Sequence, residues 1–248
     1  MDEINPATIE TYKDEPFPIK GAINVAVVTG GHPYDVPSFN RLFRSLPGIE
    51  AYEQDLDQFI SDWWHVRNLY DVVLFFNWHL DTPIENERLW LQKGMTQALE
   101  ELGQTEQGIV ILHHAVGAFQ KWPFWSDMVG IPHAERGFIP EEVPSHISLG
   151  ETIQVEIADS EHPITSGIKP WDVVGETWDF GSSAPSPDCH VLMTTDHPRM
   201  RMKAMAWTHQ FRQSRVFYLQ PGHDNEAWSH PTFRTVLLRG IQWAAKRL

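Results

Sequence analysis

Three short, near-continuous apolar runs constrain this chain more than any other feature: residues 23–29 (INVAVVT), 72–76 (VVLFF) and 108–112 (GIVIL). A strand that is apolar at successive positions, and not only at alternate ones, has both faces buried. That is the pattern of a parallel sheet covered by helices on either side. The intervening segments read as helices. Phe39, Leu42, Phe43 and Leu46 recur at helical spacing within 37–46, and residues 57–69 continue the theme. Thr82-Pro83-Ile84-Glu85 is a capping-box pattern, opening a helix with Leu91, Met95, Ala98 and Leu102 on one stripe and Gly103 as its stop. Ile49 to Glu53 is a shorter, weaker strand. The resulting order, β-α-β-α-β-α-β with crossover-length connections, predicts a doubly wound parallel sheet.

The second half is less regular. Residues 119–129 read as a helix interrupted by Pro123, and 130–150 as a long loop rich in Pro, Gly and His. Strand candidates follow at 152–157, 176–180, 190–195, 204–208 and 215–219, spaced as an antiparallel extension of the sheet. A helix from Pro231 to Lys246 closes the chain. Residues 1–20, broken by Pro6, Pro16 and Pro18, form an N-terminal arm. Residues 21–248 form one domain.

Charge and cysteine content remove several function classes. With 33 acidic and 19 basic residues the formal charge is −14, which repels nucleic acid and anionic membranes. No run reaches the ~18 apolar residues of a membrane span. No apolar leader segment is visible, so a cytoplasmic location is expected. One cysteine, Cys189, rules out an internal disulfide or a Cys-rich zinc site. Gly30-Gly31 lacks the spacing of a dinucleotide fingerprint or a P-loop, so neither NAD nor ATP is expected.

In an open parallel sheet, ligands bind beyond the carboxyl ends of the strands. Each well-defined strand here delivers a histidine to that edge. The exits read Gly30-Gly31-His32, Asn77-Trp78-His79, His113-His114-Ala115 and Pro221-Gly222-His223-Asp224. Imidazoles can bind metal, move protons or hydrogen-bond a polar ligand. Glu176, beside such a group, could act as a base or as a fourth ligand. The remaining histidines are expected to be structural or superficial.

These segments, in this order, resemble the ThuA-like family, named for a trehalose-utilisation protein. The resemblance rests on Val28-Thr29-Gly30-Gly31-His32, on Ile111-Leu112-His113-His114-Ala115 with Trp122-Pro123, and on His162-Pro163-Ile164-Thr165-Ser166-Gly167. It continues through the Glu176 segment, Ala206-Trp207, Arg215 to Tyr218 with Gly222-His223-Asp224, and Gly240-Ile241-Gln242-Trp243-Ala244. It implies a flavodoxin-like, class I glutamine-amidotransferase-like three-layer fold. That fold carries a nucleophile at the turn after the strand at 108–112 and a His–acid pair near the C-terminal end. Spacing to Gly117 puts the nucleophile position at Ala115, and the resemblance implies that the pair corresponds to His223 and Asp224. Without a thiolate there is no acyl-enzyme route, so amidotransferase chemistry is not expected. The family's Asp-Glu motif reads Gly175-Glu176-Thr177-Trp178 here, with the Asp missing.

The expectation is a ThuA-like protein that binds or acts on a carbohydrate in sugar utilisation. His113, His223, Glu176 and Asp224 are its candidate catalytic groups. Gly30, Gly31, His32, Trp78, His114 and Trp122 are its ligand-binding groups, with the two tryptophans as stacking walls. His79, His113 and His223 are candidate ligands for a divalent zinc, manganese or iron ion. The sequence leaves the reaction open among hydrolysis, isomerisation and elimination. The alternatives are a non-catalytic sugar-binding or regulatory module, and a hydrolase with an unrecognised nucleophile. A homo-oligomer is expected from the arm and the abundant tryptophan.

Overall fold

The computed structural model describes residues 17–61, 66–81, 96–132, 151–174 and 184–248. The first strand, β1 (Ile23–Thr29), is buried at every position. Helix α1 (Val36–Arg44) follows, capped by Asp35, whose carboxylate accepts from the Ser38 amide. The weak strand of the sequence is β2 (Ile49–Asp55), paired parallel to β1 along its whole length. It lies at the sheet edge, which is why its apolar signal is diluted.

The helix expected over 57–69 is shorter. Asp55 and Gln58 close a capping box over α2 (Leu56–Ile60), and a 3₁₀ turn at Val66–Leu69 leads into β3 (Val72–Phe75). Of the long helix expected from Thr82, residues 82–95 lie outside the described residues, while 96–100 are helical. Next come β4 (Gly108–Leu112) and a 3₁₀ turn at His113–Gly117. Helix α3 (Pro123–Val129) corrects the expectation for this segment: Pro123 stands in the first turn, where its missing N–H costs nothing, and opens the helix instead of interrupting it.

The second half supplies β5 (Thr152–Ile157), β6 (Trp171–Val174), β7 (His190–Thr194), β8 (Ala204–Phe211) and β9 (Ser214–Leu219). Two helices follow, α4 (Asn225–Ser229) and α5 (Pro231–Ala244). Strand β6 was not anticipated, and the candidate at 176–180 lies outside the described residues. The sheet order is β2-β1-β3-β4-β9-β8-β7-β5-β6. As the sequence predicts, the runs at 23–29, 72–75 and 108–112 are parallel neighbours. β9 extends this parallel core beside β4, and β8, β7, β5 and β6 add the antiparallel part.

Alternation along the strands feeds two cores. Val25, Val27, Leu74, Val110, Leu112 and Phe217 pack on the face covered by α1 and α5. Ala26, Val28, Phe75, Ile111 and Tyr218 pack on the other face, with Trp125 and Met128 of α3. Two filled faces oblige the loops at the carboxyl edge to carry the polar chemistry. Of the arm, residues 1–16 lie outside the described residues. Phe17 packs its ring on Tyr52 and Tyr70, both at 5.0 Å.

Candidate functional site

β1 ends in two glycines with positive φ, +114° at Gly30 and +80° at Gly31. A Cβ on Gly31 would lie 2.3 Å from the Trp78 carbonyl oxygen, so only glycine lets the exits of β1 and β3 close on each other. The Trp78 amide donates to the Gly30 carbonyl at 2.8 Å and completes that junction. His32 follows directly.

At the exit of β4 the chain turns at His113, a non-glycine residue with φ +53°. Such backbone is held only where its surroundings over-determine it. One constraint is the bond between His113 Nδ1 and the Gln220 carbonyl at 2.6 Å, which ties this turn to the exit of β9. A carbonyl can only accept, so Nδ1 carries the proton and Nε2 is the basic nitrogen. His114 is set the other way round. Its Nε2 donates to the Phe76 carbonyl at 3.3 Å, leaving Nδ1 as a lone pair with no protein partner.

His32, His113, His114 and His223 therefore meet from three strand exits. Ring centroids are 3.9 Å apart for His32 and His114, 5.1 Å for His113 and His114, and 5.1 Å for His113 and His223. His223 stands 6.0 Å from His32 and 6.3 Å from His114. Both ring nitrogens of His32 are buried without a protein partner. Burial pushes His113 and His114 well below the usual imidazole range, and neighbouring imidazoles push further in the same direction. Burial also lowers His32, against the pull of its own backbone and with the neighbouring His223 adding to the drop. His32, His113 and His114 are thereby held toward the neutral form, in which a ring donates one hydrogen bond and accepts one. Such a set can pass a proton or hold a hydroxyl. His113 and His114 are fully covered, at 0% and 2% exposure, while His32 and His223 are half-buried.

The match to a sequence family decides the next question. Residues 38–244 match the family described as ThuA, trehalose utilisation. The chain belongs to the ThuA family. A ThuA-like protein from Parabacteroides merdae is similar in structure at 18% identity, with 90% of each chain covered and a TM-score of 0.65. A cytoplasmic protein from Salmonella typhimurium follows at 13% identity, covering 89% of this chain and 98% of that one, with a TM-score of 0.56. A glutamine amidotransferase from Thermotoga maritima is similar at 13% identity, 90% and 98% coverage and a TM-score of 0.52. At these identities the likeness establishes the amidotransferase-like fold and nothing finer. No curated protein matches the chain. No helix among the described residues is long and apolar enough to cross a membrane.

Within this ThuA fold the left-handed residue at the β4 turn is His113, not Ala115. Ala115 is fully buried, and its carbonyl accepts the Trp125 indole N–H at 3.0 Å. The single cysteine lies elsewhere: the Cys189 thiol donates to the Gly130 carbonyl, and burial with the neighbouring Asp188 charge pushes it up to about 12. Asp224 is the N-cap of α4, its Oδ1 accepting the Glu226 and Ala227 amides. Trp122 corrects the stacking expectation. At 4% exposure it packs against Phe119 and Phe124 in the core and presents no ring face to a ligand. Trp78 is half-buried, 5.6 Å from His114. Glu176 lies outside the described residues.

His79 stands apart from the four-ring cluster. It stacks on Phe119 and bonds Asn77. The expected metal set of His79, His113 and His223 is not assembled, and among the described residues no three His, Cys, Asp or Glu are placed to hold a metal ion. Other histidines do structural work. His230 caps α5, His209 bonds the Met128 carbonyl, and His190 and His197 pair with Asp159 and Glu151. A cavity of about 240 Å³ is lined by Arg67, Glu101 and Gln107, and one of about 80 Å³ lies between β6, Pro221 and the helices α4 and α5.

Sequence reasoning missed Asp55. It ended the second strand at Glu53 and so never brought this carboxylate to the carboxyl edge. The signal available was the Asp55-x-x-Gln58 capping pair.

Proposed function

We propose that this ThuA-family protein binds a carbohydrate at the carboxyl edge of the sheet and that the histidine cluster moves protons on it. The observation that carries this reading is the pairing of opposite tautomers: His113 bears its proton on Nδ1 and His114 on Nε2, with His32 in ring contact with His114 and His223 in ring contact with both. A basic imidazole nitrogen can take a proton from a sugar hydroxyl or from a carbon beside a carbonyl. A second imidazole can return it to the leaving oxygen. The neutral rings of His32, His113 and His114 suit a neutral, hydroxyl-rich ligand, and the family's trehalose-utilisation description supports that class.

A second reading, a sugar-binding module without catalysis, draws on the burial of His113 and His114 beneath the other two rings. Both are tested by incubating the full chain with trehalose, glucose and a 3-keto-glucoside, with calorimetric binding and NMR analysis of products. Turnover that falls about a hundredfold or more in His113→Asn supports proton transfer. Binding without any product supports the module. No binding to any of the three sugars sinks both.

A further inference from the structure

Beside the cluster, β2, β1 and β3 leave a second group of polar atoms around one glycine. A Cβ placed on Gly30 would sit 2.5 Å from Asp55 Oδ2 and 3.0 Å from His79 Cε1. The carboxylate and the imidazole therefore face each other across a space that only glycine leaves open. Asp55 is held by its capping role. Its Oδ1 accepts the Asp57 amide at 3.0 Å, which turns Oδ2 toward Gly30.

His79 is held from two sides. Its ring stacks on Phe119 at 6.0 Å and 10°, and its carbonyl accepts the Phe119 amide. Asn77 Nδ2 lies 3.3 Å from His79 Nδ1. An amide nitrogen can only donate, so Nδ1 accepts and the His79 proton sits on Nε2. Asn77 is itself fully buried, and its Oδ1 has no protein partner. An orphaned buried amide oxygen is costly unless a ligand or water pairs with it. Burial lowers the His79 basicity, against the opposing pull of Asp55 and Asp57. All of this stands at the β1/β3 junction, where the strand order reverses from β2 on one side to β3 on the other, the ligand crevice of doubly wound sheets.

We propose that Asp55, His79 and the bare Gly30 form a hydroxyl-binding subsite for a vicinal diol of the sugar. The carboxylate accepts one hydroxyl proton and His79 Nε2–H donates to the neighbouring oxygen. This rests on the carbohydrate reading above and names the part of the ligand that lies away from the histidine cluster. Asp55 and His79 position the sugar and take no part in proton transfer.

The test titrates trehalose, glucose and methyl α-glucopyranoside calorimetrically into the full chain and into Asp55→Asn, His79→Phe and His223→Gln. Asparagine keeps the cap of α2 and phenylalanine keeps the stack on Phe119, so both variants should melt close to the wild type. Whichever sugar the wild type binds should be held at least about tenfold more weakly by Asp55→Asn and by His79→Phe, the scale of a lost charge-assisted bond. The His79 Cε1–H resonance should move on sugar addition. Affinity within twofold of wild type in both variants, with that resonance unmoved, overturns the subsite. If His223→Gln alone loses binding in that case, the carbohydrate reading survives. Failure of the wild type to bind any of the three sugars overturns both.

Discussion

Lowering the pH from 7.5 to 5.5 should cost this protein stability through His113 and His114. Both are held neutral by burial, with basicity well below the ordinary imidazole value of 6.5. In the unfolded chain each takes up a proton near 6.5, while the folded rings do not. The unfolded state therefore binds more protons as pH falls, and stability falls with it. For a ring that stays neutral when folded, the loss over this interval is on the order of 1 kcal/mol, or about 3 kcal/mol for the pair. The lowered basicities of His32, His79 and His209 act with the same sign. With a urea m-value of about 3 kcal/mol/M, the midpoint should drop by roughly 1 M. Urea unfolding of the wild type at pH 7.5, 6.5 and 5.5 reads this directly. The control is the double variant His113→Asn, His114→Gln. Asparagine tolerates the left-handed backbone at 113, and both replacements keep an amide donor for the carbonyls of Gln220 and Phe76. The difference in slope between the two proteins cancels every other titrating group, including the half-buried Glu53, whose carboxyl is raised by desolvation. A double variant as pH-sensitive as the wild type would refute the argument that these two rings stay neutral in the fold.

Three further outcomes are expected. Cys189→Ser should leave any activity within a few-fold, and the thiol, with a pKa of about 12, should react with iodoacetamide at pH 8 far more slowly than free cysteine; a hundredfold loss of activity would show a role for sulfur. Gly240→Ala should destabilise by about 1–3 kcal/mol in urea unfolding despite alanine's better helix propensity, because the new Cβ would meet Phe217 Cε1 at 2.1 Å; a neutral or stabilising result would mean α5 can lift off β9 freely. Trp122→Ala should lower stability by about 3–5 kcal/mol without selectively weakening sugar binding in the protein that remains folded, since the ring is core; a binding defect at unchanged stability would restore it to the site.

The parallel core of this fold was legible in the chain because burial on both faces writes itself as near-continuous apolar runs, and β1, β3 and β4 lie where those runs fall. The strand exits were legible for the same reason, so His32, His113 and His223 could be placed at one edge before any coordinates. What local pattern could not carry were relations between residues far apart in sequence. The pairing of His113 Nδ1 with the Gln220 carbonyl spans 107 residues and decides which nitrogen is basic. His79 turned away from the cluster because Phe119 and Asn77 hold its ring beside Gly30. Trp122 looked like a stacking wall and is core, since composition does not say which side of a helix faces the sheet. Asp55 was invisible because an edge strand with one polar face gives a weak apolar signal, and only its parallel register with β1 brings it opposite the turn at Gly30. Sequence determined which elements form, through hydrophobic burial summed over short windows. Tertiary structure alone decided proton positions and neighbours at the site, because those depend on single hydrogen bonds closed across the sheet.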